Sequence, residues 1–499
     1  MVVLMAWVFI MHTTCLSINI SKETVITIIH KYLPVLSIRF ISFKKLGPAV
    51  TLVLFCLCGN VLYAQSFKLM RYDENYGYLK DSSRSFYESV KYIPLSSEGT
   101  TWLSFGGEAR YEYVDFNNED WGRLNIGHNN FLLQRYDLHA DLHLNKQFRV
   151  FAQLRSAMQD GRINGPRPID EDHLNVQNLF LDAVVYQKED KAVTVRVGRQ
   201  EIDYGSGRLI SVREGPNARL YFTGAKVMYN SSRLSIDAFA MMADTTHTGI
   251  FDNKSSNEIN LWGGYSKYII PHSGNLDLYY VGVKRNLSVF EEGTAKEVRH
   301  TIGTRFWKYG GGFIYNLEAA YQFGSFGNGN ISAWTGSIDL GYSFENLKFK
   351  PTINLRNDYI SGDKKAGNGT LQTFNPIYPK GGYFGFSPQI GPVNLIDIHP
   401  YGTLDLLPDL KMQVDMVFNW RYSLNDGVYR PSGGFNLAGS ASDKRYIGTA
   451  YLANLSYAVN KYTQLVTGIQ YFKTGEFIND IIPNSKNGLF YNIRLGFKF

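Results

Sequence analysis

The sequence predicts an all-β fold, a transmembrane antiparallel β-barrel of about 18 strands. Three observations carry that expectation. Aromatic residues make up 15% of the 499 residues, with 34 Tyr and 32 Phe, while only 19% are charged. From Trp102 to Phe499 the chain resolves into segments of about ten to fifteen residues that alternate apolar with polar, the period of a strand with two unlike faces. The connectors between those segments alternate short and long.

Taken in chain order, Lys44 and Lys45 precede the run LGPAVTLVLFCLCGNVLYA, which ends in Leu62-Tyr63-Ala64 before Gln65. A charged start, an apolar middle and a small residue before the cut make a secretory signal peptide. Residues 1–64 are therefore read as a signal preceded by an over-long N-terminal extension. The apolar core, Ala49 to Cys58, is shorter than the ~20 residues of a spanning helix. Phe55 and Leu57, which precede the two cysteines, are not the small residues of a lipoprotein signal. Cys15, Cys56 and Cys58 are the chain's 3 cysteines, so the body of the protein has no disulfide, cysteine zinc site or thiol nucleophile. Five of the 51 basic and one of the 44 acidic residues also fall within 1–64, leaving 46 and 43. A net +3 gives no reason to expect nucleic acid as a partner.

Residues 65–98 lack alternation and are read as a periplasmic lead-in, a strap or plug, ahead of a barrel over 99–499. In the first clear strands Tyr136, Leu138, Ala140, Leu142 and Leu144 share one face, and Arg135, Asp137, His139, Asp141 and His143 share the other. The same split recurs over 311–323 and 410–421. A soluble sandwich would alternate too, and connector length separates the two cases. Connectors at 145–147, 187–191, 230–232, 271–274, 308–310, 345–346, 408–409 and 460–461 are tight turns. Those at 117–129, 161–172, 204–218, 244–258, 286–296, 325–330, 361–393, 424–445 and 475–487 are longer. Short turns on one rim and long loops on the other describe a barrel of the Gram-negative outer membrane, its belt facing lipid. Tyr113, Tyr186, Tyr268, Tyr342 and Tyr359 near segment ends fit aromatic girdles. The terminal alternation Tyr491, Ile493, Leu495, Phe497, Phe499 looks like the signal read by the barrel-assembly machinery.

Parity assigns a balanced set of charges to the lumen, among them Glu108, Arg110, Arg135, Asp137, Arg149, Arg155, Arg196, Arg305, Lys348, Lys350, Arg356 and Arg421. Unpaired in a packed core they would be prohibitive, whereas a hydrated pore accommodates them. Guanidinium groups bind carboxylates bidentately, and interleaved acids would keep each contact weak enough for a polyanion to move on. The other reading is an ion-pair network that only stabilises the wall. In the loop over 363–393, Tyr378, Tyr383 and Phe384 lie among glycines, positioned to form a constriction or a sugar-stacking surface. No catalytic or metal constellation emerges and no cofactor is called for. Gly205-Ser206-Gly207 lacks the context of a nucleophile elbow, and His139 and His143 stand ~13 Å apart on a strand.

The stretches FGGEARYEY (105–113), NNFLLQRYDLHADLHLNKQFRVFAQL (129–154), VRVGRQEIDYGSGRLISVREGPNARLYFTGAKV (195–227) and NPIYPKGGYFGFSPQIGPVNLIDIHP (375–400) resemble the alginate-export family of outer-membrane barrels. Most specific is Gly198-Arg199-Gln200, followed by Tyr204-Gly205, Arg208-Leu209, Asn217 and Arg219. The resemblance implies a monomeric barrel, not an enzyme, that lets an anionic polysaccharide or oligosaccharide cross through an arginine-rich constriction, with periplasmic export partners conceivable. It would place Arg110, Arg135, Arg155, Arg196, Arg199 and Arg356 at that constriction. The alternatives are a general or small-solute porin, and a barrel whose enzymatic or adhesive function lies in the loops at 363–393 and 424–445.

Overall fold

A computed structural model describes residues 67–81, 85–383, 385, 386 and 389–499, so the expected signal segment lies outside the described residues. The alternating segments form eighteen barrel strands. They are β1 (Trp102–Asn117), β2 (His128–Leu144), β3 (Phe148–Asp160), β4 (Asp172–Lys188), β5 (Lys191–Gln200), β6 (Phe222–Asn230), β7 (Leu234–Thr245), β8 (Lys254–Ile270) and β9 (Gly274–Phe290). The second half comprises β10 (Gly293–Lys308), β11 (Phe313–Phe326), β12 (Gly329–Ser343), β13 (Thr352–Ile360), β14 (Leu395–Leu407), β15 (Leu410–Arg421), β16 (Tyr446–Ala458), β17 (Thr463–Thr474) and β18 (Gly488–Lys498). Each pairs antiparallel with the next. The last closes on the first, from Glu108↔Lys498 to Asn117↔Leu489. Closure leaves no unpaired edge to face lipid. Among the described residues no helix is long and apolar enough to cross a membrane.

Period 2 sorts the two faces as expected. Leu138, Leu278, Ile302, Ile338 and Ile469 are exposed on the outside, while Arg135, Asp137, His139 and Asp141 are buried within. Two expected long loops turn out to be two-residue hairpins, since Phe290 pairs with Gly293 and Phe326 with Gly329. Strands β9 to β12 continue beyond the apolar belt, where both faces can be polar, so their ends look like loops in the sequence. Conversely, residues 344–351 form a wider turn that carries Lys348 and Lys350 off the wall into solvent.

The interior is filled by chain. The 201–221 and 361–394 loops turn inward and meet, with Tyr378 N donating to Leu209 O at 2.8 Å, Ser211 N to Tyr378 O at 2.9 Å and Lys380 N to Gly207 O at 2.7 Å. Around them an apolar core gathers, including Ile202, Ile210, Phe239, Val283, Phe374 and Ile377. The wall charges are consequently not bathed as in an open pore. They are buried and paired, because the space that would hold water holds loop instead.

The described residues ahead of β1 pack against the inner wall and the crossing loop. Tyr72 sits in an apolar cluster with Met70, Phe151, Phe180 and Val212 of the 201–221 loop. A short helix, α1 (Phe86–Lys91), follows, started by a capping box between Ser85 and Glu88.

Gly198 shows why the signature at the end of β5 needs glycine. Its φ is +136°, and a Cβ there would lie 2.2 Å from the Leu179 carbonyl oxygen of the neighbouring strand β4. Gly198→Val should destabilise the barrel by about 2 kcal/mol or more, whereas Gly496→Val, which meets nothing within 4 Å, should be tolerated. Urea unfolding in detergent, read by heat-modifiable gel mobility, compares the two.

Candidate functional site

Strands β1 to β5 form one sector of the lumen wall, and their arginines grip the 201–221 loop. Arg135 donates from Nε to Asn217 O at 2.9 Å, from Nη2 to Pro216 O at 2.7 Å and from Nη1 to Glu214 Oε1 at 2.8 Å. Arg110 adds Nη1 to Glu214 O at 3.1 Å and Nη2 to Pro216 O at 3.4 Å. Asn217 is fully buried, and its amide donates to the carbonyls of Gln134, Met158 and Asp170 at 2.9 to 3.0 Å. Glu108 lies 3.6 Å from Arg135. Arg155 holds Asp137 bidentately at 2.6 and 2.8 Å, and Arg196 holds Asp182 at 2.7 and 2.8 Å.

From this anchorage the loop crosses the lumen. Arg208 reaches Glu318 on β11 at 3.3 Å and Asp358 on β13 at 2.5 Å, and Ser206 Oγ donates to Glu318 at 2.7 Å. The lead-in is tied to the same loop. Tyr72 OH donates to Glu201 O at 2.6 Å, Arg149 Nη2 to Tyr72 O at 2.6 Å and Arg219 Nη1 to Leu69 O at 3.2 Å. Arg71, oriented by Glu74, donates to Gly107 O and Phe499 O at 3.0 and 2.9 Å, bridging the first and last strands.

Beyond the loop a cavity of about 420 Å³ remains on the β10 to β16 side. Arg305, Arg356 and Lys380 line it together with His399, and Asp415 is its one carboxylate. Tyr309, Tyr401 and Phe386 supply ring surface, and Gly205 and Ser206 of the crossing loop close one side. Arg305 is braced by Asn316 at 2.7 Å and Asp277 at 3.2 Å, and Arg356 by Asp339 at 3.1 Å. His399 and Asp415 are joined at 2.9 Å. Such a surface presents cations backed by acids, with aromatic faces beside them, a combination suited to carboxylated sugars.

The sequence-nominated residues thus fall into separate groups. Glu108, Arg110, Arg135, Asp137, Arg149, Arg155 and Arg196 belong to the loop-gripping sector, and Arg305 and Arg356 to the cavity. Arg199 shares the outer face of Val197 and pairs with Asp244 at 2.7 Å near the extracellular rim. Arg421 organises the 422–445 loop, donating to the carbonyls of Leu424, Gly439, Ser442 and Lys444. Tyr378 is buried in the loop-to-loop contact. Tyr383 lies in the short turn of Gly381–Tyr383, and Phe384 is outside the described residues. Sequence reasoning assigned no lumen role to Arg208, Glu214, Arg219 or Lys380. For the first three the signal was available, since the 201–221 connector mixes those charges with Leu209, Ile210 and Val212, too apolar a set for a solvent loop.

The family profile for alginate export matches residues 101–492. No curated protein matches the chain. Among solved structures, Acinetobacter baumannii OccAB1 is similar at a TM-score of 0.55 and 13% identity, over 83% of this chain and 99% of that one. Pseudomonas aeruginosa OccK2 (OpdF) in complex with glucuronate gives 0.52 at 11% identity, over 80% and 96%. A BenF-like porin from Pseudomonas fluorescens Pf-5 gives 0.52 at 11%, over 80% and 98%. The likeness is one of fold, an outer-membrane porin barrel.

Desolvation works against the ionised form of Glu214, yet the guanidinium groups of Arg135, Arg219 and Arg110 hold its carboxyl well below the usual range. A depressed pKa contributes stability that is present above the unfolded value and is lost as pH falls through the folded one. The 201–221 loop should therefore stay clamped from neutral pH down to the ordinary glutamate value of ~4.3 and loosen only below it. Hydrogen exchange of that loop against pH tests this, and loosening between pH ~7 and ~5 would contradict the sign.

Proposed function

Because the chain belongs to the alginate-export family, we propose that this outer-membrane barrel is a channel passing an anionic polysaccharide or oligosaccharide, monomeric and without catalytic activity. The observation that carries the reading is the cavity where Arg305, Arg356 and Lys380 face a single carboxylate beside Tyr309, Tyr401 and Phe386. Asp277 and Asp339 stand behind Arg305 and Arg356 without lining the cavity, so a uronic acid unit entering it meets three cationic groups and one carboxylate first. Ring faces beside them favour the apolar faces of a pyranose. Bound glucuronate in the structurally similar OccK2 is in keeping with a uronate-sized ligand. In this reading residues 1–64 are a signal peptide preceded by an over-long N-terminal extension. The fold likeness to porins also supports a second reading, a small-solute porin, which the same experiment separates.

The test is single-channel conductance of residues 65–499 in a planar bilayer, titrated with alginate oligomers and with a neutral glucan of similar size. Concentration-dependent block by the anionic oligomers alone is expected. Replacing Arg305, Arg356 and Lys380 together by glutamine should raise the half-blocking concentration about tenfold or more. An open channel indifferent to both polymers would leave the porin reading.

A further inference from the structure

Glu214, on the crossing loop, is placed unlike the arginines that grip it. Its side chain is 34% exposed, whereas those of Arg110 and Arg135 beside it are 3% and 0% exposed. A pair serving only to fasten the loop would be expected to bury both partners. The fastening is also done elsewhere. Arg135 Nε and Nη2 and Arg110 Nη2 hold the carbonyls and side chain of residues 214, 216 and 217. The Glu214 carboxylate takes Arg135 Nη1 at 2.8 Å and Arg219 Nε at 3.2 Å, and it shares Arg110 Nη1, 3.4 Å away, with the Glu214 main-chain oxygen at 3.1 Å.

The fit of that carboxylate is loose. Glu214 Oε2 and Arg219 Nε face each other at 3.2 Å without the alignment of a hydrogen bond, and Arg110 Nε is buried without a hydrogen-bond partner. Removing the Glu214 charge would leave Arg110, Arg135, Arg155 and Arg219 facing Glu108, Asp137 and Glu201, one positive charge in excess. Gly215, next along the loop, borders open space, with nothing within 4 Å of an added Cβ.

We propose that Glu214 is an internal stand-in for a ligand carboxylate. The edge formed by Arg135 Nη1, Arg110 Nη1 and Arg219 Nε is a carboxylate-binding site on the passage, occupied by Glu214 at rest and yielded to the carboxylate of a passing uronic acid unit. The exchange replaces one carboxylate by another, so the arginines are never left buried and unpaired, and the backbone of the loop stays in place. The internal competitor also keeps the site weak, which suits transit rather than retention. This inference rests on the channel reading above and names a second contact point for the same class of solute.

The experiment uses residues 65–499 in bilayers and in nanodiscs, with sodium glucuronate as the charged probe and glucose as the neutral one. Glu214→Gln should lower the half-blocking glucuronate concentration about tenfold and leave the response to glucose unchanged. A dye on Gly215→Cys, the only thiol in that chain, should respond to glucuronate with Glu214 present and lose most of that response in Glu214→Gln. Unchanged or weaker glucuronate block in Glu214→Gln, together with a dye silent to glucuronate, would overturn the stand-in. If Glu214→Gln fails to reach its heat-modifiable form, Glu214→Asp, whose carboxylate falls short of Arg135, is expected to tighten block in the same direction. Failure of alginate oligomers to block the wild-type pore would instead count against the channel reading itself, so the two failures are distinguishable.

Discussion

Main-chain carbonyls inside a wide barrel must find donors, and arginine side chains from the wall and the inner segments supply them. An eighteen-stranded wall encloses more space than its own side chains can fill. Chain that turns inward to fill it brings polar backbone groups that cannot be left unpaired. Arginine meets the requirement because it offers five donors in a fixed fork, enough to hold an acid with one edge and a carbonyl with the other. The pattern recurs. Arg149 holds Asp141 and Tyr72 O, Arg285 holds Glu297 and Ile377 O, and Arg299 holds Glu297 and Thr373 O. Arg71 does the same for Glu74 and the two carbonyls at the barrel seam.

Function follows from what this fastening leaves over. The crossing loop takes up the β1 to β5 side and reaches Glu318 and Asp358 on the far wall. A cavity then lies beside β10 to β16, where the cations that line it outnumber carboxylates. Nearly equal totals of acidic and basic residues therefore say little about what a solute meets, because many of the acids stand behind the arginines they orient. Asp277 and Asp339, for example, brace Arg305 and Arg356 without lining the cavity themselves.

Strand number, closure and the sorting of faces were legible because period 2 is set by the solvent on each side of the wall. The alternation around Tyr136 and Leu138 survives intact in β2. Legibility ended where that constraint ended. Above the belt, the hairpin at Glu291 and Glu292 looks like a loop because both faces are wet. Inside, parity separates Arg135 from Tyr136 but cannot tell an arginine that faces a solute from one that faces a loop carbonyl. Arg421 bonds five carbonyls and Arg199 lies on the outer face, distinctions that depend on contacts far apart in sequence. The 201–221 loop shows the same limit. Its signature residues Arg208, Asn217 and Arg219 were apparent as a motif, and only their partners on other strands reveal a crossbar.

The central claim is that the charges facing the remaining passage, rather than the total lumenal charge, decide what the channel admits. It is tested most directly by the reversal potential of single channels formed by residues 65–499 in a potassium chloride gradient. The arrangement of Arg305, Arg356 and Lys380 opposite Asp415 predicts preference for chloride over potassium. Cation preference, or a reversal potential at zero, would contradict it.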